Sequence, residues 1–493
     1  MNTNKIAQFL EKPPEEFTKQ DLIKFIEAKN IEMLNFRYVG GDGRLKTLNF
    51  VIASKAQLDC LLSRGERVDG ASLFAYIDVA SSDIYVIPRY RTAYVNPFSP
   101  IPTVDILCSC YDSNGERLPS SPENIVEKAS KVLKNSTGFT LEAMGELEYY
   151  VLHDNQPLYP IMAQKNYQES PPFCKWERLR NEAMQAIAQA GGQIKYGHSE
   201  VGTIHQEDYE AEQHEIEFLP VPIEDAADQL VIAKWILRMV GYRYGVTISF
   251  APKILPGHNG SGLHIHTRLV KDGKNMMVRE NQLNDVAKRV IAGFLTIVPS
   301  LTSFGNTVPV SYLRLVPHQE APTNICWGFR NRSTLVRVPL GWLNVSDMSR
   351  DANPHDTESS PELEDAQTVE FRCPDGSANI HFLLAGLAVA ARHGLEMENA
   401  LELADRLRVD VNIFSSEQTE VRERLPQLPA SCWESAESLL RDREVYERDG
   451  VFPSIVIDWI INNLKSYNDK NLSERLKDKD ELKKLIAEYL HCG

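Results

Sequence analysis

The sequence predicts an α+β protein whose two domains divide near residue 120. Short segments that alternate polar and apolar residues precede that point, and the first contains a glycine-rich turn typical of a hairpin. These segments are 34–52, 84–90 and 104–112. A capped helix predicted from about 121 to 135 then opens a region in which strand-like segments alternate with long helices. We therefore expect a β-rich domain over residues 1–120 and a larger α+β domain over residues 121–493.

The composition favours a soluble cytoplasmic protein. The chain has 493 residues, of which 43% are hydrophobic, so it can bury a large core. Its formal net charge of −15 argues against nucleic-acid binding. The apolar segment 381–396 begins and ends with polar residues, so it is interpreted as a buried helix and not as a membrane span. The N-terminus has no signal-peptide pattern, and eight cysteines without a CxxC pair are expected to be reduced thiols.

The C-terminal segment 472–493 predicts a charged amphipathic helix that extends the second domain. Its apolar positions are Leu482, Leu485, Ile486 and Leu490. Such a helix is expected to dock on its own subunit or on a partner.

The segment NGSGLHIH at 259–266 places two imidazoles on one face of a predicted strand, after a glycine-rich turn. The side chains that share this face are His264, His266 and Arg268, while Leu263, Ile265 and Thr267 point the other way. A pair of surface or hydrogen-bonded histidines is the simpler interpretation of an isolated HxH. Three further segments favour a site instead.

These three segments are predicted strands that carry charged side chains on one face and apolar ones on the other. The charged pairs are Glu146 with Glu148, Glu215 with Glu217, and Glu370 with Arg372. Two neighbouring carboxylates on a buried face repel each other unless a cation lies between them. Together with the histidine strand, they predict a polar cavity that holds metal ions.

Carboxylates with one or two imidazoles and no paired cysteines suit Mg²⁺ or Mn²⁺ better than Zn²⁺, and two such ions are typical of phosphoryl transfer. The segment 311–337 adds Arg314, Arg330, Arg332 and Arg337, which could bind phosphates or form a solvated loop. The sequence has neither a GxxxxGK[ST] nor a GxGxxG phosphate loop.

These segments, in this order, resemble the catalytic core of glutamine synthetase from about residue 30 to about residue 460. The matching blocks are ERVDGASL (66–73), SSD (81–83), GELEYYV (145–151), HSEVGT (198–203), HEIEF (214–218), NGSGLHIH (259–266), SYLRLVPHQEAP (311–322), RNRSTLVRVP (330–339) and VEFRCPDGSAN (369–379). The resemblance to this family, in its type I form, implies an N-terminal β-grasp-like domain. It also implies a catalytic domain with a curved antiparallel sheet flanked by helices.

The resemblance implies two or more Mg²⁺ or Mn²⁺ ions with ATP as co-substrate. The ligands of the ion beside the amino-acid substrate would be Glu148, Glu200 and Glu215, and those of the ion beside the nucleotide would be Glu146, His264 and Glu370. Arg314 would bind the α-carboxylate of glutamate, and Arg332 and Arg372 the transferring phosphate and the γ-carboxyl group. The other implied contacts are Asn259 and Gly260 for the amino end of glutamate, and His266, Arg337 and Phe218 for ATP.

The resemblance also implies a pocket that binds ammonium and removes a proton from it. Its residues would be Asp69, Ser72, Tyr167, Glu200 and Glu320, with Asp83 near them. Asp69 would accept the proton, and Glu320 would shield the acyl phosphate from water. Because Asp69, Ser72 and Asp83 belong to the small domain, they would complete the site of a neighbouring subunit. The expected assembly is a homo-oligomer of stacked hexameric rings, a dodecamer.

The implied reaction is the ATP-dependent ligation of ammonia to the γ-carboxylate of glutamate through γ-glutamyl phosphate, giving glutamine. Retention of the pocket's acids favours ammonia over a bulkier amine. Three residues depart from the family pattern: Gln367 and Thr368 replace a basic pair, and Arg268 replaces a small hydroxyl residue. Two alternatives therefore stay open, a γ-glutamyl ligase for another amine and a catalytically silent, ring-forming homologue.

Overall fold

The computed structural model describes residues 2–280, 282–316, 321–343, 345–356, 366–470, 472 and 479–493. Two sheets dominate these parts of the chain. The first is a six-stranded sheet in the N-terminal region, and the second is a ten-stranded sheet that carries the polar strands identified above.

The N-terminal region is a β-grasp domain with short helices packed around its sheet. Its helices are α1 (Lys5–Leu10), α2 (Lys19–Ala28), α3 (Lys55–Arg64) and α4 (Gly70–Leu73), and its strands are β1 (Met33–Val39), β2 (Leu45–Val51), β3 (Glu66–Asp69), β4 (Asp83–Pro88), β5 (Tyr94–Val95) and β6 (Thr103–Tyr111). The strand order is β2-β1-β6-β4-β3, with β5 also paired to β6. Strands β1 and β6 are parallel and the other pairs are antiparallel. The predicted hairpin over 34–52 is confirmed, since Val39 pairs with Leu45 around a turn in which Gly43 has a φ of 75°.

Helix α5 (Pro122–Thr137) follows, close to its predicted bounds, but the predicted serine cap is wrong. The Ser121 hydroxyl accepts no helix N–H and instead donates to Glu123 Oε1 at 2.8 Å. The same carboxylate oxygen accepts the Cys110 N–H. The Ser121 hydroxyl therefore does not cap the helix, because it is bound to Glu123, whose carboxylate also contacts strand β6.

The large sheet is curved, and its path runs β16-β17-β18-β12-β7-β9-β8. Its strands are β7 (Thr140–His153), β8 (Ile194–His205), β9 (Glu210–Phe218), β10 (Val221–Pro222), β11 (Thr247–Ser249), β12 (Leu263–Lys271), β13 (Lys274–Asn275), β16 (Trp327–Phe329), β17 (Val336–Val338) and β18 (Val369–Phe371). Strands β14 (Val278–Arg279) and β15 (Gln282–Leu283) form a separate pair. The neighbours along the path are antiparallel except for β16 and β17.

Eleven helices follow in the described part of the second region. They are α6 (Glu177–Gln189), α7 (Ile223–Tyr244), α8 (Asp285–Gly305), α9 (Ser311–Arg314), α10 (Met348–Ala352), α11 (Ile380–Glu396), α12 (Ala400–Arg406), α13 (Thr419–Arg424), α14 (Cys432–Glu447), α15 (Ser454–Ser466) and α16 (Lys479–Tyr489). Helices α6 and α7 pack directly on the large sheet. The expected buried helix over 381–396 is α11, which is buried along nearly its whole length. Helix α8 is long and apolar enough to cross a membrane, but 72% of its apolar window is buried inside the protein, as in a core helix.

The C-terminal helix α16 docks on its own chain. Ile486 is buried with Val308 and Val310, and its apolar neighbours pack around the same cluster. Beyond the helix, the Arg44 guanidinium donates to the His491 carbonyl at 2.7 Å, which ties the tail to the β1–β2 turn. Of the two expected docking modes, the structure shows docking on the helix's own subunit.

Candidate metal-dependent active site

Strand register brings the predicted acids and imidazoles together on one face of the large sheet. Glu146 on β7 lies opposite His264 on β12 and Glu217 on β9. Glu148 lies opposite Glu215. The alternate residues Leu147, Tyr149, Ile216 and Ile265 are fully buried on the other face. Because side chains alternate along a strand, the core contacts of one face hold the acids of the other in place.

One group of ligand atoms surrounds Glu146. Its carboxylate oxygens lie 2.8 Å from His264 Nδ1 and 2.8 Å from His266 Nε2. Glu370 Oε1 is 3.6 Å from His264 Nδ1. Glu146, His266 and Glu370 each offer an atom within 4.8 Å of the others, which is close enough to share a cation. The structure thus brings together Glu146, His264 and Glu370, as predicted, and adds His266.

A second group contains Glu148, Glu200 and Glu215. Glu200 lies in a bulge of β8, between the Ser199 and Thr203 pairings with β9, and a bulge redirects side chains. His198 Nε2 is 3.1 Å from Glu215 Oε1 and His198 Nδ1 is 3.9 Å from Glu200 Oε1. Glu148 Oε2 accepts the Gly262 N–H at 2.8 Å and the Gln213 amide at 3.0 Å. These hydrogen bonds fix the Glu148 carboxylate at the centre of the face.

The pKa shifts show which acids lack a counter-charge. Burial raises the pKa of Glu148 to about 7, with His264 and Arg314 opposing and Glu200 adding to the shift. Burial, followed by repulsion from Glu146 and Glu148, holds the pKa of Glu215 well above its usual value. Burial also opposes ionisation of Glu146, but the neighbouring His266 and His264 hold its pKa well below the usual range.

A divalent cation fits this donor set. The carboxylates of Glu148 and Glu215 are buried and repel each other, and oxygen ligands with one or two imidazoles suit Mg²⁺ or Mn²⁺. Glu217 is buried; its Oε1 pairs with Lys195 at 2.8 Å, and its Oε2 has no hydrogen-bond partner among the described residues. A cation among these side chains would remove the repulsion that now raises their pKa values.

Arginines line the other side of the face, and Arg372 among them is buried. Glu370, which is 1% exposed, pairs with Arg337 at 2.6 Å and lies 3.1 Å from Arg372 Nε. Burial, opposed by Glu370, lowers the pKa of Arg372. The Arg372 guanidinium also donates to the Arg332 carbonyl, whereas the Arg332 side chain is exposed to solvent. Arg332 is thus placed beside Arg372 at the mouth of the site.

The turn before β12 and Arg314 form a second predicted contact region. Arg314 is buried and donates to the Cys373 carbonyl at 2.8 Å. A Cβ at Gly260 would lie 2.4 Å from the Pro252 carbonyl and 2.9 Å from Arg314 Cγ, so only glycine fits there. Gln164 donates to Asn259 Oδ1 at 2.5 Å, while Asn259 Nδ2 is buried and has no partner within the described parts of the chain. An unpaired amide N–H₂ beside a buried guanidinium is suited to binding a carboxylate.

The residues that depart from the family pattern have internal partners. Arg268 Nε donates to Glu142 at 2.8 Å. Thr368 Oγ1 is 2.9 Å from His266 Nδ1, and Gln367 donates to the Pro339 carbonyl at 3.0 Å. Thr368 therefore orients the imidazole that Glu146 binds from the other side.

Phe218, for which the resemblance implies a contact with ATP, has its ring in the main hydrophobic core. The residue is 0% exposed. It follows Glu217 on β9, so alternation points it away from the polar face.

The predicted ammonium-binding residues are not gathered in one place within the chain. Asp69 is exposed and accepts from the Ser72 hydroxyl at 2.5 Å, and Asp83 pairs with Arg67 at 3.2 Å, so these contacts stay within the N-terminal domain. The Tyr167 ring lies 5.4 Å from that of His198. Glu320 lies outside the described residues.

Sequence reasoning missed four polar residues of the face. His198 and Gln213 contact Glu215 and Glu148, respectively, and Thr368 orients His266. Lys195 pairs with the buried Glu217 at 2.8 Å. Strand alternation in HEIEF and VEFRCP could indicate Gln213 and Thr368 as neighbours of the acids. The bulge that turns Glu200 beside His198 leaves no comparable signal.

The fold and this face define a class: an α+β protein with buried carboxylates, imidazoles and arginines arranged for divalent cations and anionic substrates. The model of the glutamine synthetase catalytic domain matches residues 119–482, and the model of the glutamine synthetase β-grasp domain matches residues 30–113. The chain therefore belongs to the glutamine synthetase family, and family membership makes it a ligase.

Individual relatives agree with this assignment. A glutamine synthetase of Mycolicibacterium smegmatis is 29% identical over 484 residues, spanning 90% of this chain and 94% of that protein. One of Aquifex aeolicus is 28% identical over 474 residues, with the same shares. A cryo-EM structure of Plasmodium falciparum glutamine synthetase aligns with a TM-score of 0.74 and 18% identity, covering 94% of this chain and 99% of that chain. A structure described as apo GmaS without ligand gives 0.72 and 18%, covering 93% and 99%. At this identity, the two solved structures show the fold alone.

Proposed function

We propose that this protein ligates ammonia to the γ-carboxylate of glutamate at the expense of ATP. The γ-phosphoryl group of ATP is transferred to the carboxylate, which gives γ-glutamyl phosphate and ADP. Ammonia then attacks the acyl carbon and inorganic phosphate leaves, which gives glutamine. The observation that carries the proposal is a buried group of carboxylates, whose pKa values are raised by burial first and then by repulsion from neighbouring acids, on a face shared with Arg337 and Arg372.

In this proposal Glu148, Glu200 and Glu215 hold one divalent ion, and Glu146, His264 and Glu370 hold another. When bound, these ions supply positive charge to the phosphates and to the carboxylate under attack. The chain's own cations complete this compensation: Arg372 and Arg332 lie together at the mouth, and Arg337 is held there by Glu370. His266, oriented by Thr368, is a further phosphate contact.

The glutamate would be held at its α-carbon end by Arg314 and the turn at Asn259 and Gly260. Arg314 is locked against backbone carbonyls, so its guanidinium is fixed before substrate binds. The unpartnered Asn259 Nδ2 and the close approach permitted by Gly260 support a substrate end at this position.

The proton acceptor for ammonium would be Asp69 of a neighbouring copy, assisted by Ser72 and Asp83. In the single chain these residues are exposed and bonded only within their own domain, as the described contacts show. Hydrogen bonds from Ser72 and Ser82 lower the pKa of Asp69, so the carboxylate is ionised and available to a cation. Tyr167, Glu200 and the flap residue Glu320 would close the pocket. The assembly would be a ring-forming homo-oligomer, in stacked hexamers, with domains that meet near residue 120.

A second candidate is ligation of another amine by the same site. Two half-exposed rings, Tyr167 and Tyr196, lie 5.4 Å and 5.9 Å from the His198 ring, beside Glu200. Aromatic walls beside a carboxylate favour an organic ammonium ion through cation–π contacts and alkyl burial.

Phosphate release with glutamate, ATP and Mg²⁺ or Mn²⁺ tests both candidates. We expect release with ammonium and formation of glutamine, and little release when glutamate is omitted. Release that is strong with methylamine or an aromatic amine, and weak with ammonium, would favour the second candidate. Absence of release with every amine and of γ-glutamyl transfer to hydroxylamine would contradict both and favour the silent homologue.

A further inference from the structure

The geometry assigns a ligand role to His198: we infer that its Nε2 coordinates the cation held by Glu148, Glu200 and Glu215. This inference rests on the proposed function and deepens it, because it sets the metal preference of the site. This ion, called the first ion below, would then have three carboxylate ligands and one imidazole ligand; the ion held by Glu146, His264 and Glu370 is the second ion.

The first support is the tautomer of His198. Its Nδ1 lies 3.0 Å from the Ser199 carbonyl oxygen. A carbonyl oxygen can only accept, so Nδ1 carries a proton and donates it, which leaves Nε2 with a lone pair in the neutral ring. Histidines that bind metals typically donate their other N–H to a backbone carbonyl in this way.

The second support is what Nε2 faces. Glu215 Oε1 lies 3.1 Å away, so two acceptor atoms point at each other unless a proton or a cation lies between them. The ligand atoms of His198, Glu200 and Glu215 lie within 4.8 Å of one another, and the His198 side chain is 13% exposed. A divalent ion at their centre satisfies all three at once.

The competing interpretation is an ion pair between imidazolium and Glu215. One such charge would face three carboxylates, since Glu148 and Glu200 both repel Glu215. The ion pair would leave most of that repulsion in place, whereas a divalent cation offsets it.

An imidazole ligand changes metal preference. A mostly oxygen site with an imidazole accepts either ion, but Mg²⁺ gains less from a nitrogen ligand than Mn²⁺, which belongs to the transition-metal affinity series for such sites. A first site with His198 in it should therefore favour Mn²⁺ over Mg²⁺ more strongly than an all-carboxylate site does.

The test uses the full-length oligomer and two substitutions, His198→Gln, which offers an amide oxygen, and His198→Ala, which offers none. The matched control is His205→Gln, because His205 is on the same strand but contacts Glu210 and the Ile161 carbonyl. Titrations with Mn²⁺ and Mg²⁺ give both affinities. We expect Mn²⁺ affinity to fall at least about tenfold in both His198 variants, as losing even an outer-shell partner does, and to be unchanged in the control. His198→Gln should retain more Mg²⁺ affinity than Mn²⁺ affinity.

Pulsed electron paramagnetic resonance of bound Mn²⁺ tests the inference in a protein that retains His198, so it does not require a His198 variant to fold. In a Glu370→Gln variant that has lost the second ion, the remaining Mn²⁺ should show coupling to an imidazole nitrogen. Mn²⁺ that binds without nitrogen coupling there, with unchanged affinity in the His198 variants, overturns the inference and leaves the proposed function standing. A wild-type protein that binds no Mn²⁺ contradicts both.

Discussion

The two acidic regions of this chain differ in how they are stabilised. The acids of the large sheet are buried. Glu217 is 2% exposed and Glu370 is 1% exposed, and each forms an ion pair with a basic side chain, Lys195 and Arg337, respectively. Asp69 and Asp83 of the small domain are exposed, and their partners are a hydroxyl and a surface arginine. One chain thus builds the cation-binding half of the proposed site by itself, whereas the ammonium-binding half faces away into solvent. In the proposed function, a second copy joins the two.

The largest expected effect comes from removing a buried acid. Glu215→Gln should lower ligation by two to three orders of magnitude, or ~3–4 kcal/mol of transition-state stabilisation, because an ion is lost. The same change should raise the stability of the metal-free protein, since the repelled carboxylate is gone. Activity assays and thermal melts in chelator check both parts.

The control for that substitution is Glu207→Gln, at an exposed position in the turn after β8. It should leave both quantities unchanged. If Glu215→Gln kept its activity, the buried acid would not be needed for catalysis, and the contrast between the two acidic regions would have no functional meaning.

The next effect concerns the glutamate end of the same half. Gly260→Ala would place a Cβ against the Pro252 carbonyl and Arg314, so the turn must shift. We expect kcat/KM for glutamate to fall about 100-fold, in line with small misplacements of a positioning group, with Mn²⁺ binding intact. Steady-state kinetics with a parallel metal titration check this. A loss of metal binding, or no kinetic change, would contradict the assigned position of the substrate.

Complementation between two variant subunits tests whether the acids of the small domain and those of the large sheet meet at a subunit interface. Asp69→Asn and Glu215→Gln homo-oligomers should both be nearly inactive. Co-expressed at equal amounts, they should recover roughly a quarter of the wild-type activity, because a quarter of random head-to-tail interfaces join an intact Asp69 to an intact Glu215. Activity of purified mixed oligomers measures this, and mixed oligomers as inactive as their parents would place Asp69 and Glu215 in one chain's site.

The smallest effect is a pH dependence. The folded-state pKa of Glu148 is about 7, above the 4.5 of the free group, so the folded state holds more protons between these values. Stability from this group is therefore present below about pH 4.5 and lost as pH rises through about 7. In the presence of a chelator, we expect the Tm of the wild type to fall relative to the Tm of Glu148→Gln as the pH rises from about 4.5 to about 7. Saturating Mg²⁺ should abolish that trend, and a trend of the opposite sign would contradict the buried, uncompensated carboxylate.

Much of this face could be predicted from the sequence because strand alternation is a local rule. Glu146 with Glu148, Glu215 with Glu217, and His264 with His266 fall on shared faces, and the register brings them together as the alternation implies. Their roles came from the resemblance, not from the alternation. The family assignment that the resemblance gave is confirmed by the matching domain models.

The departures from the predicted structure have different physical causes. Ser121 lost its capping role because Glu123 binds its hydroxyl and the Cys110 N–H. Glu200 lies in a bulge between the Ser199 and Thr203 pairings, which strand alternation does not predict, whereas His198 is in regular register opposite Glu215. Alternation along β9 buries the Phe218 ring, so the side chain at this position does not reach the polar face.

The most direct test of the central claim, that the buried acids exist to hold cations, is the number of Mn²⁺ ions bound per chain. The account predicts at least two in the wild-type protein, with one lost in Glu215→Gln and a different one lost in Glu370→Gln. Fewer than two ions in the wild type, or unchanged binding in both variants, would contradict it.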